Sequence, residues 1–106
     1  MNVQALPKSF EELVLESDLP VLADFWAEWC GACKSVSPVV KRIALEFHGR
    51  LVTVKVNVDK KVDVASRYNV QSIPTFILFH KGIILMRITG AVQYDALKAE
   101  IEKRIN

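Results

Sequence analysis

The chain contains two cysteines, Cys30 and Cys33, with Gly31 and Ala32 between them. They follow a nearly continuous apolar run over residues 21–27 and precede a segment with helical periodicity. A thiol at the start of a helix meets unpaired backbone N–H groups and the positive end of the helix dipole, and both lower its pKa. The thiolate is the species that attacks disulfides, and residues three apart share one side of a helix. The spacing therefore predicts a redox-active pair.

Two other interpretations of this pair stay open on the residues alone. A Cys-x-x-Cys unit can supply half of a zinc site, although neither His48 nor His80 lies at a ligand-like spacing from it. The pair could also be buried and inert. A bridge that closes four residues restricts the unfolded chain by only about 2 kcal/mol, so it is weak as a structural staple. The context of strand, Cys-x-x-Cys and helix favours the redox interpretation.

The first half of the chain contains the elements that must position the cysteines. Ser9 followed by Glu12 is a capping box and predicts a helix start. Residues 21–27 are typical of a strand covered on both faces. From Gly31 the apolar residues recur at helical spacing up to residue 47, with Pro38 inside and Gly49 as an end cap.

The second half predicts a strand, a short helix, two strands and a closing helix, at residues 51–58, 62–68, 75–79 and 83–88 and around Leu97, Ile101 and Ile105. Asp59 is the predicted cap of the short helix, and Lys81-Gly82 the predicted tight turn of an antiparallel hairpin. Another short strand is expected at residues 3–6. Strands that alternate with helices imply an α/β fold with parallel crossovers and a sheet covered on both sides.

Composition limits the classes of partner. The 106 residues are 51% apolar and fit a single domain over residues 1–106. Fourteen basic and 12 acidic residues give a net charge of +2 without any run of like charge, which argues against nucleic acid and acidic membranes. Residues 21–27 are too few to span a bilayer. Residues 1–7 lack the features of a targeting segment, so a cytoplasmic protein is expected.

Several segments resemble the thioredoxin family in place and order over essentially the whole chain. Residues 25–34, Phe-Trp-Ala-Glu-Trp-Cys-Gly-Ala-Cys-Lys, are similar to the active-site segment of that family. Ile73-Pro74-Thr75 resembles its second signature, a loop with a cis proline beside the cysteines. Further matches are Leu22-Ala23-Asp24-Phe25, Pro38, Gly82 and Gly90.

The resemblance implies a thioredoxin fold, a central mixed β-sheet flanked by helices on both faces. It also implies a protein-disulfide reductase that maintains cell redox balance through electron transfer. Cys30 would form a mixed disulfide with a target, and Cys33 would resolve it. The expected partners are oxidised target proteins and a thioredoxin reductase using NADPH. We expect a monomer with no bound cofactor and no metal.

The same resemblance implies catalytic roles for Asp24 and Lys55. Asp24 is an ionisable residue inside an apolar strand, and burial should raise its pKa because it disfavours the charged form. Without the resemblance, a structural carboxyl that has found a hydrogen bond explains it equally well. With it, Asp24 becomes the proton acceptor for Cys33. Lys55 would be its electrostatic neighbour, against the alternative of a lysine that extends its charge into water.

The docking residues are also implied by the resemblance. Trp29 is expected to be exposed beside Cys30, with Trp26 packed beneath the site. Pro74 could be an ordinary proline at a strand start, but the family pattern implies a cis bond that presents the Ile73 backbone to a substrate chain. Gly90 and Ala91 would complete an apolar patch around the sulfurs, together with Val92, that suits transient partners.

The residues between the cysteines should tune the redox potential. Gly31 leaves room for a substrate backbone because it has no side chain. Most thioredoxins have proline where this chain has Ala32, and alanine restores a backbone N–H near the sulfurs. The sequence does not set the sign of the resulting shift in potential.

Two other functions compete with reduction. A thioredoxin-like binding subunit would not need its cysteines, although the complete set of Cys30, Cys33, Asp24 and Pro74 argues against it. A disulfide oxidase or isomerase usually has histidine where Ala32 stands.

Overall fold

A computed structural model describes residues 9–105. Its elements follow the predicted order: α1 Phe10–Glu16, β1 Val21–Trp26, α2 Gly31–Glu46, β2 Val52–Asn57, α3 Val62–Arg67, β3 Thr75–His80, β4 Ile83–Thr89 and α4 Tyr94–Ile105. The strand expected at residues 3–6 lies outside the described residues. Within residues 9–105, no helix has both the length and the apolar character needed to cross a membrane.

The four strands form one mixed sheet in the order β2-β1-β3-β4. β1 and β2 pair in parallel, as the crossover through α2 predicts, whereas β3 is antiparallel to both of its neighbours. The expectation that helix-linked strands run parallel is therefore wrong for β3. The helix α3 has only six residues and spans about 9 Å, whereas a six-residue strand spans about 20 Å. By itself α3 does not span the length of β2, and β3 begins at the end of the sheet where β1 and β2 finish and runs back.

Helices cover both faces of the sheet, as predicted. One core lies between the sheet and the helices α2 and α4, and its fully buried members include Leu22, Ile43, Phe76, Leu97 and Ile101. The other core lies on the opposite face against α1 and α3, and it includes Val14, Phe25, Val64, Ile77 and Phe79. Because alternate residues of β1 enter different cores, the strand is buried along nearly its whole length. β1 is one of the two central strands, so neighbouring strands on both sides hold the segment that leads into the cysteines.

Two of the predicted local signals are confirmed. The Ser9 side chain accepts a hydrogen bond from the Glu12 N–H at 3.1 Å and so caps α1. Lys81 and Gly82, with φ of 54° and 82°, connect β3 and β4 as an antiparallel hairpin. Both central residues have positive φ, which matches the twist of the flanking strands.

The predicted cap of α3 is wrong. The residue at the cap position is Lys61, which makes no side-chain hydrogen bond there. The Asp59 carboxylate instead accepts a hydrogen bond from Trp29 Nε1 at 2.9 Å. The carboxylate that the local pattern assigned to the cap of α3 therefore serves as the acceptor of a tertiary hydrogen bond between residues 30 apart in sequence.

Candidate active site

The two cysteines lie where the chain leaves the sheet and enters α2. β1 ends at Trp26, a short turn follows, and Cys30 is the N-cap of α2 in an extended conformation. Cys30 and Cys33 form a disulfide with their Cα atoms 5.3 Å apart. Each residue is only 6% exposed. The helix start thus holds both sulfurs at one point of the surface.

The helix start also provides a hydrogen bond to the first sulfur. The Cys33 backbone N–H donates to Cys30 Sγ at 3.1 Å, as it would to the oxygen of a serine cap. When the bridge is open, this donor and the helix dipole favour the thiolate of Cys30 over its thiol. The geometry therefore supplies an activated sulfur with a second sulfur one helical turn away.

Asp24 is a buried carboxyl on the face of β1 that α2 covers. Leu22, Asp24 and Trp26 are two residues apart along the strand and therefore share this face. Asp24 is 3% exposed. Its Oδ1 atom has no hydrogen-bond partner among residues 9–105. Burial raises the pKa of Asp24 from 3.8 to about 6, and the positive charge of Lys55 opposes part of that rise. A carboxyl of this kind can take up or release a proton near neutral pH.

Lys55 lies opposite Asp24 in the parallel register of β1 and β2. Its Nζ lies 4.7 Å from the ring centroid of Trp26. Trp26 is half-buried and packs against Ala27, Cys30 and Cys33, as predicted. The lysine is exposed, so its charge stays in contact with water while its field reaches the buried carboxyl.

The loop before β3 lies against the cysteines. The Ile73–Pro74 peptide bond is cis, as the resemblance implied. Ile73 packs against the cluster formed by Ala27, Cys30 and Cys33. The Gly90 N–H donates to the Pro74 carbonyl at 2.7 Å, and Gly90 has a φ of 98° that favours glycine. The end of β4 is thereby tied to the cis-proline loop.

Two shallow grooves are lined in part by predicted site residues, Trp29 and Ile73 in one and Ala91 in the other. Trp29 is 70% exposed and joins Val58, Val70 and Ile73 around the first groove, of about 310 Å³. Ala91 is exposed and contributes to the second groove, of about 470 Å³, which also contains residues of α2. A further groove of about 480 Å³, between α1, β2 and α3, contains neither cysteine.

All the residues predicted for the site are therefore brought to one end of the sheet, except that Lys55 approaches from the edge. Sequence reasoning missed Asp59, which holds the Trp29 indole. A usable signal existed, because Asp59 lies two residues after the carboxyl end of β2, a strand parallel to β1, and site residues of such sheets gather there. Among residues 9–105, no group of three or more His, Cys, Asp or Glu residues could hold a metal ion.

Two sulfurs that open and close one bridge can store an electron pair and pass it to another disulfide. The fold and the site together define a thiol–disulfide oxidoreductase. The family model described as Thioredoxin matches residues 2–103. The chain belongs to the thioredoxin family.

Similar proteins agree with this assignment. Thioredoxin 1 of Chlorobaculum tepidum is 47% identical over 100 residues, which cover 94% of this chain and 99% of that protein. Thioredoxin 1 of a Nostoc species is 44% identical over 102 residues, with 96% and 95% covered. The chloroplastic M-type thioredoxin of Spinacia oleracea is 43% identical over 98 residues, which cover 92% of this chain and 54% of that protein.

Proposed function

We propose that this chain reduces disulfide bonds in target proteins. The Cys30 thiolate attacks one sulfur of the target bridge, forms a mixed disulfide and expels the other sulfur as a thiolate. The Cys33 thiolate then attacks Cys30 Sγ, closes the Cys30–Cys33 bridge and releases the second target sulfur. Two electrons pass from the dithiol to the target. The observation that carries this proposal is the Cys30–Cys33 bridge at the N-cap of α2.

In this scheme Asp24 accepts the proton of Cys33, so that Cys33 becomes nucleophilic when the mixed disulfide has formed. Its burial on the α2 face of β1 and its pKa of about 6 support this role. Such a pKa leaves the carboxylate mostly ionised at neutral pH and basic enough to take a proton. Lys55 acts through Asp24, because its charge limits the rise of that pKa.

The proposed docking surface surrounds the two sulfurs. Trp29 and Ile73 form one side, with Pro74 at the base of its loop, and Gly90 and Ala91 form the other. Gly31 supports a close approach of a target backbone, since among residues 9–105 a Cβ placed there would meet nothing within 4 Å apart from its chain neighbours and the backbone of its own helix. Ala32 is exposed at the same end of α2, where its backbone N–H adds to the field that sets the redox potential.

The proposed cycle needs an electron source. Membership of the thioredoxin family supports reduction by a thioredoxin reductase, with NADPH as the ultimate donor, and oxidised proteins as the targets. We place this electron transport in the cytoplasm and assign it to a monomer. Reduction of the purified protein by such a reductase, followed by NADPH absorbance, tests the assignment, and a protein that accepts no electrons from it would contradict it.

The central experiment combines turnover and trapping. The wild type should accelerate the reduction of insulin by dithiothreitol, measured by turbidity. Cys33→Ser should accumulate a mixed disulfide through Cys30, visible by mass spectrometry as a covalent adduct that dithiothreitol removes. Cys30→Ser is the matched control and should form none. Rapid turnover by Cys33→Ser, or adduct formation by Cys30→Ser, would show that the order of attack is wrong.

A further inference from the structure

The groove on the Ala91 side has a composition that the redox chemistry does not require. Ser35, Val36 and Val39 of α2 form one wall, and Ala91, Val92, Gln93 and Tyr94 form the other, around about 470 Å³. We call this space the Val39 groove. Its volume lies in the range of spaces that hold a ligand group, and the residues within 9–105 that line it include no carboxylate.

The Val39 groove starts about one helical turn beyond Cys33 on α2. Val36 and Val39 follow Cys33 by three and six residues in the same helix, which places them about 5 Å and 9 Å farther along the helix axis. On the opposite wall, Ala91 directly follows Gly90, whose N–H is bonded to the Pro74 carbonyl. The groove is therefore close, along the axis of α2, to the point where a target chain would meet the cysteines.

A cationic side chain, that of Arg42, lies at the Tyr94 end of the groove. The Arg42 guanidinium lies 3.6 Å from the centroid of the Tyr94 ring, and Arg42 is exposed. Within residues 9–105 Arg42 forms no ion pair. Nearby Lys98, by contrast, is paired with Glu46. The Tyr94 hydroxyl is buried without a hydrogen-bond partner in this part of the chain.

We propose that the Val39 groove binds the segment next to the disulfide of a target protein, and that it selects an apolar side chain followed by a carboxylate. The valine walls bury the apolar side chain. The carboxylate pairs with Arg42, whose planar guanidinium suits two-point recognition. The proposal rests on the proposed reduction of protein disulfides and assigns a substrate preference to the same site.

The dimensions fix where the selected residues lie in the target. An extended chain advances about 3.3 Å per residue, so the span from the sulfurs to Val39 corresponds to about three residues. Tyr94 and Arg42 lie beyond it. The apolar residue is therefore the third from the attacked cysteine, and the carboxylate is the fourth.

Designed peptides with one internal disulfide test this preference. Three peptides carry Leu-Asp, Leu-Lys or Ser-Asp at the third and fourth positions on both sides of the bridge. The second-order rate constant for their reduction by the reduced protein is followed by tryptophan fluorescence. The Leu-Asp peptide should react about two- to fivefold faster than Leu-Lys, as expected for an exposed ion pair, and faster than Ser-Asp.

Substitutions of Arg42 then decide whether the groove is responsible. Arg42→Gln should bring the Leu-Asp to Leu-Lys rate ratio to about one, and Arg42→Glu should invert it. Arg50→Gln is the matched control, because Arg50 is also exposed and stacks on an aromatic ring, Phe47 at 4.8 Å, beyond the far end of α2. It should keep the wild-type ratio.

The outcomes separate this proposal from the function on which it rests. An equal rate for all three peptides, or a wild-type ratio in Arg42→Glu, overturns the selection by the Val39 groove. Insulin reduction by the same samples reports on the redox function independently. If the wild type did not reduce insulin, the proposed function itself would be overturned.

Discussion

Lys55 and Asp24 are directly opposite each other in the parallel pair of β1 and β2, and the lysine only partly offsets the burial of the carboxyl. Desolvation is the larger effect, so the pKa of Asp24 still rises to about 6. Because Lys55 lies on the edge strand and is exposed, water weakens its field. The buried carboxyl therefore titrates close to neutrality.

The first prediction concerns the release of the reduced target. Asp24→Asn should slow the attack of Cys33 on the mixed disulfide at pH 7, by about 100-fold or more, since it removes the general base. The first attack by Cys30 should change much less. In the wild type the release rate should increase with pH through about pH 6, as the Asp24 carboxylate forms.

Stopped-flow measurements on a preformed mixed disulfide report the release step alone. Glu28→Gln is the control, because it removes an exposed carboxyl from the turn before Cys30. Equal slowing of both steps by Asp24→Asn would contradict the assignment of Asp24 to Cys33.

The second prediction concerns stability and follows from the same titration. Below pH 3.8 the Asp24 carboxyl is protonated in both the folded and the unfolded chain, so its burial carries no charge. As the pH rises through about 6, the folded protein must hold a buried charge and loses stability. The shift corresponds to about 3 kcal/mol.

Urea unfolding of the oxidised protein at pH 3.5 and 7.5 measures this effect, since the bridged cysteines do not titrate. The free energy of unfolding of Asp24→Asn relative to the wild type should increase by about 3 kcal/mol between the two pH values. Glu28→Gln should show no such gain. A pH-independent difference for Asp24→Asn would mean that the carboxyl is not perturbed by burial.

The third prediction separates the influence of Lys55 from that of burial. Lys55→Gln removes the charge that lowers the pKa of Asp24, so the pKa should rise above about 6. The pH profile of target release should then shift upward, and Lys55→Arg should restore it. Lys60→Gln, at an exposed lysine beyond the end of β2, is the control. The titration of Asp24 itself is measured by NMR of its carboxyl resonance. If that titration does not move in Lys55→Gln, any change in the release profile is a structural effect of the substitution.

The sequence predicted those parts of the fold that depend on local pattern. The change from an apolar run to helical spacing located the start of α2 and made Cys30 its cap. The occurrence of Asp24 within that apolar run was enough to predict its burial and raised pKa. The cis bond before Pro74 followed from the family resemblance, because a proline motif alone does not distinguish the isomers.

Features set by tertiary contacts were not predictable in this way. The direction of β3 is seen in its pairing with β1, between residues 50 to 58 positions apart in sequence. The Val39 groove forms between α2 and the start of α4, which are about 55 residues apart in sequence, and no periodic pattern links their facing residues. Asp59 resembled a helix cap because its competing partner, Trp29, is distant in the chain.

The last prediction uses that contact between Asp59 and Trp29. Asp59→Ala removes the acceptor of the indole N–H, so the exposed Trp29 ring should sample more orientations. The loss of a solvent-exposed hydrogen bond should cost less than about 1 kcal/mol of stability. The KM for a protein target should nevertheless increase several-fold, because an ordered aromatic side chain docks with a smaller loss of entropy.

Steady-state reduction of insulin and tryptophan fluorescence anisotropy measure these two effects. Asp63→Ala is the matched control, since it removes an exposed carboxyl from α3 that forms no contact with Trp29. A lower anisotropy with an unchanged KM would place Trp29 outside the docking surface. An unchanged anisotropy would show that packing against the groove with Ile73, and not the hydrogen bond to Asp59, orders the indole.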